Sequence, residues 1–112
     1  MSISDLQKRI DEWIKEYGVR YFDEKTNMLV LMEEVGELSR LMARVYGEQS
    51  FKRGSDTADA HSRIGEELAD IIFVLGCLAN QMDIDLEKEL ESSFKKKTLR
   101  DKDRHKNNPN LS

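Results

Sequence analysis

The segments Glu33-Glu34-Val35-Gly36-Glu37 and Glu66-Glu67-Leu68-Ala69-Asp70 match position by position: two glutamates, an aliphatic residue, a small residue and an acid. They are the nearest thing to an internal repeat in the chain. Carboxylates three residues apart share one face of a helix, so two helices carrying these segments can offer four oxygen donors to one or two cations. No His or Cys stands within either segment, and all-oxygen ligation suits hard ions, Mg²⁺ or Mn²⁺. A ferritin-like di-iron centre would need Glu-x-x-His, which the chain lacks. The competing reading is a solvated acidic helix face, ordinary in a chain with 22 Asp and Glu.

Periodicity supplies the elements that must position these acids. Pro109 is the only proline, so nothing ahead of it breaks a helix. Ile3, Leu6, Ile10, Trp13, Ile14 and Tyr17 follow the stripe of an amphipathic helix. Ser4 with Gln7 reads as its capping box and Gly18 as its stop. A second helix is expected over residues 25–45, with Leu31, Val35, Leu38, Met42 and Val45 on one face. Residues 47–61 are polar and aperiodic, a loop. A third helix over residues 62–82 is apolar all round from Ile71 to Ala79, which predicts burial on every side. Asp85 is a good N-cap for a fourth helix running from Leu86 to about Arg104. The fold class is therefore all-α, an antiparallel bundle of four main helices. Residues 1–104 form one domain and residues 105–112 a flexible tail. A single copy covers the apolar half of helix three poorly, so a dimer or a dimer of dimers is expected.

The acids fall on the wrong face for solvent. With about 100° per residue and Leu31 at zero, Glu34 lies at roughly −60°, between Leu38 and Leu41 inside the apolar stripe. Glu37 lies at the edge of the stripe and Glu33 points away. On the third helix, Glu67 and Asp70 lead into Val74 and Cys77, one and two turns further on. A carboxylate so placed is costly unless it is paired, protonated or bound to metal.

These residues resemble the all-α nucleotide pyrophosphohydrolases of the MazG-like family, whose hallmark is EExxE followed, after a spacer, by EExxD. EEVGE and EELAD match it, with residues 38–65 as a spacer at the long end of the range. The likeness extends to GELSRLMARVYGE, ADIIFVLGCLANQMDIDLE and KKKTLRDKDR. The last two segments look most like a short bacterial branch typified by YpjD proteins. The resemblance implies Mg²⁺-dependent hydrolysis of a nucleoside triphosphate between its α and β phosphates, giving monophosphate and pyrophosphate. It implies Glu34, Glu37, Glu67 and Asp70 as the Mg²⁺ ligands. Glu33 and Glu66 are left to hold a second ion, orient the attacking water or face solvent; Glu33 is counted with the catalytic set. Clearing surplus or non-standard nucleotides is the task the family suggests. The chain offers no other catalytic set, having neither a GxxxxGK[ST] phosphate loop nor a GxSxG elbow.

Charge is divided unevenly. The 112 residues carry a formal net charge of −4, but residues 95–106 hold seven Lys or Arg against two Asp. Lys96, Arg100 and Arg104 form one stripe of helix four, with Lys97 and Asp101 beside it. A solvated helix C-terminus explains such a stripe; a polyphosphate substrate would also use it. Trp13 is the candidate for stacking on a base, against a plain packing role, with Tyr17, Tyr21 and Phe22 nearby. Lys52 and Arg53 are loop cations that could close over phosphates. The acidic balance argues against a nucleic acid polymer as partner. The absence of a long apolar run or leader argues against a membrane. A lone Cys77 suits a reducing cytoplasm. Rival readings are a pyrophosphatase for dUTP or phosphoribosyl-ATP with the same fold, and a non-catalytic helical interaction module.

Overall fold

The computed structural model describes residues 1–48 and 59–111, and no strand occurs among them. Four main helices follow in order: α1 (Ile3–Trp13), α2 (Glu24–Val45), α3 (Ala60–Gln81) and α4 (Leu86–Asp101). Local chemistry sets most of their starts. Asp23 caps α2 by accepting from the Thr26 N–H at 2.8 Å, and Asp85 caps α4 by accepting from Lys88. The cap of α1 is Ser2 rather than Ser4: Ser2 and Asp5 exchange side-chain and backbone hydrogen bonds in a capping box. Gln7, expected at that cap, is drawn instead into tertiary bonds. Its amide donates to Asn80 Oδ1 at 3.0 Å and to the Ile84 carbonyl at 2.9 Å, while its Oε1 accepts from the Leu86 N–H.

Helix α1 does not run smoothly to Gly18. It widens into a π-helical turn over Ile14–Gly18, and Val19 then sits at φ 70° and ψ −58°. The Arg20 N–H donates to the Gly18 carbonyl at 2.8 Å, closing a γ-turn of the strained hand around a β-branched residue. Beyond this turn Tyr21 packs back against α1, its hydroxyl on Asp11 and its side chain beside the Ile10 and Ile14 cluster.

Asn27 pairs with Gln81, Leu31 packs with Val74 and Leu78, and Glu34 meets Glu67 and Asp70. Rising numbers on α2 thus meet falling numbers on α3, an antiparallel pair. Helix α1 packs on another side of α3 through Ile10, Ile14 and Cys77, joined by Leu6, Tyr21 and Phe73. Gly76 permits that approach, since a Cβ there would run into Ile10 Cδ1.

The fourth helix is the departure from a closed four-helix bundle. No residue of α4 is buried, and its main packing partner is α1. The radius of gyration is 18.0 Å, against about 13 Å for a compact chain of this length. Nor is α3 buried all round: Ile72 and Leu75 remain 50% and 42% exposed, because one copy covers only two of its sides. The centre of the expected 47–61 loop, with Lys52 and Arg53, lies outside the described residues. Residues 109–111 of the expected tail form a short 3₁₀ turn.

Candidate metal centre

Helix α2 turns a mixed face toward α3. Asn27, Leu31 and Leu41 on it are buried, and Glu34 falls between them on the helical wheel. The core face is therefore centred nearer Glu34 than Val35, which is exposed. On α3, Glu67 and Asp70 flank the line of buried Val74. One carboxylate oxygen from each of Glu34, Glu67 and Asp70 lies within 4.8 Å of the others. Three of the four ligands that the family resemblance implies thus converge across the helix pair.

The fourth is placed differently. The Glu37 carboxylate accepts from Arg40 at 2.8 Å, and Arg40 with Arg63 holds it below the usual carboxylate range. This pair is exposed, so it is a weak restraint on the side chain. Glu33 and Glu66 are exposed on the outer faces of their helices.

The trio is electrostatically unfinished. A hydrogen bond shared with Glu67, then burial, then the charges of Glu67, Asp70 and Glu33, push the Glu34 carboxyl up from its ordinary 4.5 to about 7. Glu67 Oε2 is buried and has no hydrogen-bond partner, the only such side-chain atom among the described residues. A buried acceptor without a donor costs ~1–3 kcal/mol. A hard divalent cation satisfies both demands, since it binds oxygen donors and offsets their repulsion. The donor set therefore fits such an ion.

A testable pH dependence follows. Protonation of Glu34 is easier folded than unfolded, so its contribution to stability is present below pH 4.5 and lost as pH rises to about 7. Asp5, Asp11, Asp23, Glu37 and Asp101 are shifted downward, so their contributions vanish only on acidification below that window. Metal-free protein is expected to show a falling Tm between these limits in a thermal melt series. Glu34→Gln, or a saturating divalent cation, should flatten the slope; an unchanged slope in Glu34→Gln would disprove its origin in this residue.

Glu34 and Asp70 also line a cavity of about 400 Å³, whose walls include Trp13, Tyr21, Phe73 and Val74. Trp13 is 49% exposed, and its ring meets Phe73 edge-to-face at 5.6 Å, so it is a cavity wall more than a core residue. The Tyr21 hydroxyl is committed, donating to Asp11 at 2.6 Å and accepting from Asn80 at 3.1 Å. Burial and the Asp11 bond push it up to about 12. Burial likewise raises the Cys77 thiol to about 11, which leaves it a poor nucleophile.

The basic end of the chain stands apart. None of Lys96, Lys97, Arg100, Asp101 and Arg104 lines this cavity. Arg100 and Arg104 both reach Asp101, at 2.7 and 3.4 Å, and Arg100 chiefly holds its carboxyl down at about 2. Sequence reasoning missed Arg20, Asn27 and Phe73 as cavity residues. The signal for Asn27 was its place seven residues before Glu34 on the same helical face.

Known proteins agree with this architecture. The model of the MazG nucleotide pyrophosphohydrolase domain matches residues 22–105. The YpjD protein of Bacillus subtilis (strain 168) is 38% identical over 103 residues, covering 92% of this chain and 89% of its own length. The crystal structure of YpjD from Bacillus subtilis superposes with a TM-score of 0.73 at 35% identity, covering 86% of this chain and 94% of that one. That of the Bacillus-conserved MazG protein, a nucleotide pyrophosphohydrolase, also gives 0.73, at 36% identity over 93% of this chain and 97% of that one. By these matches, and by the paired acidic helices that carry its hallmark, the chain belongs to the MazG nucleotide pyrophosphohydrolase family.

Proposed function

We propose that the protein hydrolyses nucleoside triphosphates to nucleoside monophosphate and pyrophosphate, with Mg²⁺ held by Glu34, Glu67 and Asp70. The observation that carries this reading is the convergence of three carboxylates at the edge of an aromatic-walled cavity. Glu37, one turn beyond Glu34, can join as a fourth ligand because its Arg40 pair is exposed and weak. The bound ion would neutralise phosphate oxygens and lower the pKa of an attacking water.

The chain's own residues divide the rest of the work. A cation held by the carboxylates would place the phosphate end of the substrate against α2 and α3. Trp13, Phe73 and Val74 offer the nucleoside end apolar surface from which water is excluded. Lys96, Lys97, Arg100 and Arg104 do not line the cavity of their own chain, and in an oligomer a second copy would bring them to the phosphates.

We further infer a homo-oligomer, a dimer or dimer of dimers. Met28, Met32, Val35 and Met42 of α2, with Leu68, Ile72 and Leu75 of α3, are each 36% or more exposed. The helical wheels place both sets on one side of the α2–α3 pair, opposite α1. The family's role suggests removal of surplus or non-standard nucleotides in the cytoplasm. No described helix is long and apolar enough to cross a membrane.

A panel of nucleoside triphosphates with Mg²⁺, scored separately for pyrophosphate and orthophosphate, tests the reaction. Equal amounts of monophosphate and pyrophosphate are expected from at least one substrate. Orthophosphate alone would put cleavage at another bond, and no product from any substrate would overturn the reading.

A further inference from the structure

We propose that Asn27 reads the nucleobase: its Oδ1 accepts an N–H from the base edge of a nucleotide whose phosphates lie at Glu34, Glu67 and Asp70. The inference rests on the nucleotide reading above and names the residue that selects the base.

The orientation of Asn27 is fixed by a group that can only accept. The Phe22 carbonyl receives the side-chain amides of both Asn27, at 3.3 Å, and Gln81. Each amide must therefore turn its nitrogen toward Phe22. Gln81 Oε1 is then free to receive the second Asn27 proton, at 2.8 Å. Both hydrogens of the Asn27 amide are used, and only its oxygen remains.

That oxygen has no donor among the described residues, although Asn27 as a whole is only 6% exposed. It is not sealed in the interior, because among the described residues the only buried side-chain N or O atom without a partner is Glu67 Oε2. Asn27 lines the same cavity as Glu34 and Asp70, and that cavity is the side from which a donor would reach its oxygen. A polar side chain this deeply buried, with one unused acceptor and no freedom to rotate, is suited to a donor that arrives with a ligand.

Spacing identifies the ligand's class. Asn27 and Glu34 are seven residues apart, on nearly the same face of α2 and about 10.5 Å apart along the axis. This is comparable with the reach of a nucleoside from its α-phosphate to the far edge of its base. The same cavity is walled by Val30 and Val74 and by the rings of Phe73 and Trp13, apolar surface of the kind a heterocycle packs against. The partner for Oδ1 is then an exocyclic amine or ring imino group.

Nucleoside binding in EDTA, followed by the fluorescence of Trp13, tests the proposal without metal or hydrolysis; Trp13 is the only tryptophan. Cytidine is compared with its 4-deamino analogue, adenosine with its 6-deamino analogue, and uridine with 3-methyluridine. At least one parent is expected to bind about tenfold or more tightly than its donor-free partner, and Asn27→Leu should erase the difference. Gln81→Leu, which frees the Asn27 amide to turn, should shrink it and serves if Asn27→Leu does not fold. No binding of any nucleoside, equal binding within every pair, or discrimination that survives in Asn27→Leu would each overturn the proposal. Pyrophosphate release without such discrimination sinks the base-reading role alone; discrimination without pyrophosphate release sinks the hydrolase reading alone.

Discussion

Glu34→Gln and Asp70→Asn are each expected to lower pyrophosphate release about a hundredfold or more, while the protein stays folded. Cation assistance at a phosphoryl centre amounts to several kcal/mol of barrier, and every ~1.4 kcal/mol is a factor of ten in rate. Both substitutions keep side-chain volume and remove one negative charge from a trio whose oxygens lie within 4.8 Å. Carboxylate repulsion in the metal-free protein therefore falls, and Glu34→Gln should melt higher than the parent at pH 7. The parent should gain stability with added Mg²⁺ and the variants should gain less, so differential melts report ligation independently of turnover. Full activity in both variants would remove the trio from the mechanism. Lost activity with an unchanged Mg²⁺-dependent gain in Tm would leave these carboxylates in catalysis but not in metal binding.

That Glu34 matters could be read from the chain alone, because a carboxylate inside a 3.6-residue apolar stripe is a visible anomaly. The starts of α2 and α4 were equally plain, since Asp85 and the helix beginning near Lys25 are local features. What stayed hidden depends on distant partners. Ser2 displaces Ser4 as the cap of α1 because Gln7 is engaged with Asn80 and Leu86, more than seventy residues on. Asn27 gains a fixed orientation only from Gln81 and the Phe22 carbonyl. The γ-turn at Val19 runs against residue preference, so no sequence rule would choose it. The four acids were legible as a set, yet one copy joins three of them, because Glu37 meets Arg40 on the exposed side of α2.

Ile72→Glu is expected to convert the assembled protein to single chains. Ile72 is 50% exposed and lies between Leu68 and Leu75, both more than 40% exposed, on the side of α3 that faces neither α1 nor α2. Neighbouring Met28, Met32 and Val35 extend this surface along α2, giving a contiguous apolar face of the kind that marks a protein interface. Within one chain the substitution is cheap, since the new carboxylate stays in water. At a dimer interface it buries an unpaired charge, costing several kcal/mol, and each ~1.4 kcal/mol weakens association about tenfold. Light scattering after size-exclusion chromatography should show a larger species for the parent and a 13.0 kDa chain for the variant. The variant should also melt at a temperature independent of protein concentration, whereas the parent's Tm rises with it. A parent already monomeric at high concentration, or a variant that keeps the parent's mass, would show that this face is not the interface. Because Glu34, Glu67 and Asp70 lie between the helices and not on this face, a folded monomer should retain its cation-dependent gain in Tm. Loss of turnover in that monomer would then trace to contacts supplied by the second copy, and Lys96, Lys97, Arg100 and Arg104 are the side chains positioned outside the cavity of their own chain to supply them.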